Sequence, residues 1–236
     1  MPAIGWFPDP TAFVTRATCR NLLISLNISL VFTETPPRQA SLLGEYLASD
    51  QRIDLGVPQD ERLRTRAKAI ETVMGTGKPA AVVYACREFL AVASDFYKIP
   101  RPELRVLAAR PLRVREGGWS MELFGDYNPS TTVIRIWMRT AVRKQITSFG
   151  TFFSTLCHEF CHHLDCHKFA YRGSPHTRGF YQRAAELYHH GCGTPVKKLV
   201  WVKMPRGRWR IDWRRMKRDA TPRLLSAARI PDSHPL

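Results

Sequence analysis

The chain has no Cys-x-x-Cys pair, no apolar run long enough to cross a bilayer, no internal repeat and few acids. Its six cysteines stand at positions 19, 86, 157, 161, 166 and 192, a spacing that fits neither a zinc ribbon nor a disulfide scaffold. Cys157 and Cys161 then read as small apolar packing residues in a reducing compartment, and a cytoplasmic location is expected, with the nucleoid as an option within it. The apolar stretch over 21–32 is broken by Ser25, Asn27 and Ser29 and is followed by no small-residue cleavage site. It reads as a buried strand or helix, not as a signal peptide or a membrane span. Only 20 Asp and Glu oppose 36 Lys and Arg, a formal net charge of +16 that points to a polyanionic partner.

That charge is concentrated near the C-terminus. Between Lys197 and Arg218 ten Lys or Arg residues face the single acid Asp212. Trp201, Trp209 and Trp213 are interleaved there with Arg206, Arg208, Arg210, Arg214 and Arg215. Cations neutralise phosphates and indole faces stack on unpaired bases, so the segment suits single-stranded or distorted nucleic acid. The competing reading is that Leu199, Trp201, Val202 and Trp209 cover the core while the charges face water.

His158-Glu159-Phe160-Cys161-His162 carries the chemistry. HExxH on a helix puts two imidazoles on one face, about 5–6 Å apart at Cβ, within reach of one metal ion at about 2.0–2.1 Å. Phe152, Phe153, Leu156, Cys157, Phe160 and Leu164 recur at helical spacing, so the pentapeptide lies on a helix with a buried face. Glu159, one step round, is placed as a base beside a metal-activated water. A catalytic zinc needs three protein ligands and an open position. His176 is the expected third ligand, at the start of a helix for which Ser174 reads as N-cap, Pro175 as first residue and Gly191 as stop. Glu186, on that same helix, and Asp165 are the alternatives. The metzincin spacing is excluded because Asp165 and Lys168 stand where it needs Gly and His. His163, Cys161 and His167 face elsewhere on a regular helix. Tyr171, Arg178 and Tyr181 are near enough in sequence to be considered as oxyanion stabilisers.

The order HExxH, short loop, then His176-Thr177-Arg178-Gly179-Phe180 resembles the SprT-like (Spartan-type) zinc metallopeptidases, over about residues 125–190. The resemblance implies zinc held by His158, His162 and His176, Glu159 as catalytic base, and cleavage of proteins attached to DNA. Thr177 departs from the glycine usual in that family, and the zinc ribbon many members carry is absent.

The remaining pattern predicts helices over 61–74 and 79–97, the second with a stripe of Val82, Cys86, Phe89, Leu90, Ala93 and Phe96. A strand is expected over 104–114, broken near Pro111, and a hairpin of 119–124 with 131–137 around Asn128-Pro129. Residues 1–59 read as an N-terminal extension containing a linker from Pro36 to Asp60, 60–195 as an α+β zincin-like domain, and 196–236 as a basic Trp/Arg-rich segment. Thr131 to Trp137 is the expected sheet edge to which an extended peptide substrate adds. Two functions fit: a zinc metallopeptidase that hydrolyses protein or peptide substrates, DNA-associated proteins among them, or a nucleic-acid-binding protein with a structural or catalytically silent zinc.

Overall fold

The computed structural model describes residues 31–114 and 120–219. Expectations for Trp119, for residues 21–30 and for the end of the basic segment lie outside them. The helices are α1 (Ala40–Gln51), α2 (Arg62–Met74), α3 (Pro79–Tyr97), α4 (Phe149–His167), α5 (Arg178–Cys192) and α6 (Trp213–Asp219). The strands are β1 (Glu103–Ala109), β2 (Leu112–Val114), β3 (Ser120–Glu122), β4 (Gly125–Asn128), β5 (Val133–Arg139), β6 (Trp201–Lys203) and β7 (Trp209–Ile211). The chain is thus mixed α+β with small sheets.

α3 opens on Pro79, whose fixed φ suits a first helical turn, and buries Val82, Ala85, Cys86, Phe89, Leu90, Ala93 and Tyr97. Phe96, expected in that stripe, instead points outward at 37 % exposure. α2 lays Leu63, Ala67, Ile70 and Met74 against it. Each large side chain so buried contributes about 1.5–3 kcal/mol. α4 and the sheet close the same core with Phe152, Phe153, Leu156, Phe160, Leu104, Ile134 and Ile136. No helix among the described residues is long and apolar enough to cross a membrane.

The main sheet has the order β1-β5-β4, with β5 parallel to β1 and antiparallel to β4. The hairpin turns where Asn128 predicts it, because Asn128 Oδ1 accepts from the amides of Ser130 (2.9 Å) and Thr131 (3.2 Å). Its first arm is 125–128, however, and β5 is the central strand, not the edge. The reason is visible in the residues: Val133, Ile134, Ile136, Trp137 and Met138 are all buried, the near-continuous apolar pattern of a strand covered on both faces. A proline at Arg135 would therefore disrupt the sheet itself, and the edges of the sheet are β1 and β4.

The expected linker over residues 36–60 contains α1. Its amphipathic signal is weak, since only Tyr46 and Ser49 are buried, and tertiary contact with α5 holds it. The backbones touch at Gly179, where a Cβ would stand 2.1 Å from the Ser49 carbonyl oxygen. β6 and β7 form a hairpin, and the preceding N-terminal segment joins it: Phe32 bridges Arg210, and Thr33 N donates to the Trp209 carbonyl at 2.9 Å. Trp201 and Trp209 turn toward α5, the first against Tyr181 and the second beneath the Arg178 guanidinium. Lys203, Arg206, Arg214 and Arg215 remain exposed.

Candidate metal centre

α4 starts at Ser148, whose hydroxyl accepts from the Thr151 amide, and its apolar face carries the HExxH residues into the core. The four-residue spacing stacks His158 above His162 with ring centroids 4.8 Å apart. His176 reaches the same point from the loop ahead of α5. Its Nε2 lies 3.1 Å from His158 Nε2, which lies 3.1 Å from His162 Nε2. The three buried imidazoles converge closely enough to hold one metal ion.

His176 is not on the helix, as its neighbours suggest. The N-cap of α5 is Thr177, whose Oγ1 accepts from Phe180 N at 3.0 Å and also bonds Ser49 Oγ at 3.0 Å. Ser174, the expected cap, places its hydroxyl 2.7 Å from His162 Nδ1. The far end is Gly193, in the left-handed region at φ 65, not Gly191, which packs against Phe153.

The outer nitrogens of two rings have oxygen partners: His162 Nδ1 meets Ser174 Oγ, and His176 Nδ1 meets Glu34 Oε1 at 2.8 Å. A carboxylate only accepts, so His176 carries its proton on Nδ1 and can aim a bare Nε2 inward. Phe180 lines all three rings, with centroids 4.8, 4.4 and 5.1 Å from those of His158, His162 and His176. In this dry setting burial, then the neighbouring His176, hold His158 well below the usual imidazole range. Burial likewise depresses His162, with His158 and His176 adding to it. Neutral nitrogen donors with their other ring atom tied down suit a divalent transition metal.

Glu159 is 2 % exposed, and among the described residues its Oε2 has no hydrogen-bond partner. Burial, followed by the charge of Asp126, pushes its carboxyl well above the usual carboxylate range. β4 approaches it through Gly125, where a Cβ would meet Thr155 Cγ2 at 2.6 Å and Glu159 Oε1 at 3.0 Å. Gly125→Ala is expected to keep bound metal, to cost roughly 1–3 kcal/mol of stability and to lower any Glu159-dependent turnover. Denaturant melts and metal analysis of one preparation check both halves.

The other candidates have different work. Glu186 Oε2 accepts from Leu55 N at 2.7 Å, and Asp165 bonds Arg183 and Ser174. Burial pushes the Asp165 carboxyl up to about 6 although Arg183 pulls it down. His163 spans Tyr127 Oη (3.0 Å) and the Pro100 carbonyl (2.7 Å), and His167 leans on its ring. Cys161 is buried in the core. Tyr171 Oη accepts from Arg52 Nε, and Arg178 pairs with Asp50. Tyr181 alone of the three oxyanion candidates lies against the histidines, 6.1 Å from His158 and 5.7 Å from His176 between centroids, with its hydroxyl on the Phe32 carbonyl.

Glu34, Ser174 and Arg183 support the site without having been singled out for it. Glu34 is 142 positions from its partner and carries no local signal. Arg183 does carry one, as a cation on the stripe of Phe180, Ala184 and Leu187. Comparison with protein-family models, with curated proteins and with solved structures gave no match.

Proposed function

We propose that this chain is a zinc-dependent metallopeptidase with a zincin-like, SprT-like arrangement, directed to proteins associated with nucleic acid. The observation that carries the reading is Glu159 Oε2, a buried carboxyl oxygen with no partner among the described residues, one position along α4 from the first of three converging imidazoles. A buried carboxyl oxygen is costly unless it has a partner, and a water brought beside it for deprotonation would supply one. Zinc on His158, His162 and His176 would supply Lewis acidity toward that water and toward the peptide carbonyl. Glu159 takes the proton and hands it to the departing amine. Gly125 admits the carboxylate beside β4, and an extended peptide adding to the outer edge of β4 would run past Glu159. The histidines are at most 4 % exposed, so a substrate must displace a covering group, and Tyr181 packs against two of the three rings.

Nucleic-acid recruitment rests on the cations of residues 197–218. Among the described residues none of Lys197, Lys198, Lys203, Arg206, Arg210, Arg214 or Arg215 forms an ion pair with an acid. With Trp201 against Tyr181 and one face of Trp209 covered by Arg178, both half-buried, phosphate contact is favoured over stacking on bases. The closed site favours the second reading, a nucleic-acid-binding protein with a silent zinc.

One experiment separates them. Purified full-length chain is assayed for zinc and for cleavage of an unfolded protein, with and without chelator and with and without single-stranded DNA. One zinc per chain and chelator-sensitive cleavage support the peptidase. A zinc-loaded chain that binds DNA and cuts nothing in either condition supports the alternative. Metal-free protein overturns both. Reversing Arg206, Arg214 and Arg215 to Glu is expected to flatten the salt dependence of DNA binding.

A further inference from the structure

The ion pair of Arg183 with Asp165 plays no part in that chemistry, yet its side chains are 1 % and 0 % exposed. Burying two charges is costly, and apolar residues of similar volume would pack α4 against α5 at least as well. Each group is nevertheless hydrogen-bonded on more than one side. Arg183 Nη2 donates to Asp165 Oδ1 at 2.7 Å and Ser49 Oγ at 3.3 Å, and Nη1 donates to the carbonyls of Ser49 (3.0 Å) and Arg52 (2.5 Å) at the end of α1. Asp165 Oδ2 accepts from Ser174 Oγ at 3.1 Å, and that oxygen lies 2.7 Å from His162 Nδ1.

The direction of this chain follows from what each group can do. An ionised carboxylate only accepts, so the Ser174 hydroxyl donates to Asp165 and must accept from His162. His162 therefore carries its proton on Nδ1 and presents a bare Nε2 toward His158 and His176. Ser174 sits at φ 37, where a side chain is unfavourable and glycine would be easier, so the turn alone does not explain the residue.

Resting on the metal-centre reading above, we propose that Ser174, Asp165 and Arg183 are positioning residues for His162. They form a hydroxyl-relayed form of the carboxylate-to-histidine support that orients metal ligands, and Arg183 anchors it to α1. The segment over residues 40–52 is then a structural requirement of the metal site.

The test uses full-length protein, with zinc affinity from chelator competition, the visible spectrum of the cobalt-substituted form, and apo-protein melting. Ser174→Gly removes the hydroxyl and relieves the positive φ. It is expected to weaken zinc about 10- to 100-fold and alter the cobalt spectrum, with apo melting little changed, because relief of the positive φ offsets the two buried hydrogen bonds lost. The double variant Asp165→Asn with Arg183→Met, which strands no charge, is expected to weaken zinc comparably. The triple variant should bind no more weakly than Ser174→Gly, because the pair acts only through the hydroxyl. Wild-type affinity in Ser174→Gly, or a triple-variant loss equal to the two losses combined, overturns the proposal. If the double variant does not fold, Ser174→Gly decides alone. A wild-type chain that binds no zinc overturns the metal centre itself, which is a different failure from zinc bound equally by wild type and Ser174→Gly.

Discussion

Glu159→Gln is expected to keep its zinc and lose about 10²- to 10⁴-fold in peptide cleavage, the usual range for removing a positioned general base. The amide matches the carboxylate in shape, so the close approach of Gly125 and Thr155 is preserved. What disappears is the ability to take a proton. Glu159 makes no contribution to the ligand set, since the three nitrogens that converge belong to His158, His162 and His176. Metal content should therefore stay at the wild-type value while turnover falls. The fold should tolerate the change or gain from it, because burial already disfavours the charged form of this carboxyl. Parallel metal analysis, melting and cleavage of an unfolded protein give the three readouts. Undiminished cleavage by Glu159→Gln would remove the base from the mechanism.

Arg183→Met alone is expected to destabilise the protein by about 3–5 kcal/mol, the cost of breaking a buried pair and leaving the other charge behind. Three helices lose a common tie, because the guanidinium bonds the end of α1 at Ser49 and Arg52 and the α4 residue Asp165. Methionine fills much of the volume but offers nothing to the carbonyls or to Asp165. Adding Asp165→Asn should recover part of the loss, since no charge then remains in the dry site. Urea melts of the single and double variants measure both quantities. A single variant within about 1 kcal/mol of wild type would show that Asp165 is not left stranded by the loss of its partner.

The parts of the fold that were legible in the sequence are those set by neighbours in the chain. α3 and α4 follow from apolar residues every three or four positions, and the turn at Asn128 follows from one side chain that satisfies two amides. His158 and His162 meet because helical geometry brings residues four apart together. The misreadings share a cause. α1 lacks a stripe of its own and depends on Gly179 and Arg183 of a helix more than 120 residues away. Ser174 has the residue type of a cap but spends its hydroxyl on His162, leaving Thr177 to cap α5. β5 sits beside the Asn128 turn as one arm of a hairpin, the position of an edge strand, but its near-continuous apolar run is covered on both faces and its place in the centre is set by pairing with β1, a non-local choice.

By itself the order of residues determined that two imidazoles and a carboxylate share one helix, that a third histidine is at hand, and that positive charge gathers after residue 196. Periodicity and composition are enough for those statements, because a helix brings residues i and i+4 together whatever surrounds it. Only the tertiary structure decided that His176 closes the cluster while Glu186 and Asp165 turn to other partners, that Glu34 and Ser174 hold the outer nitrogens, and that β5 is central with β1 and β4 at the edges. Those outcomes depend on which distant segments pack together and exclude water, and burial of a polar atom obliges it to find whichever partner the packing brings within reach.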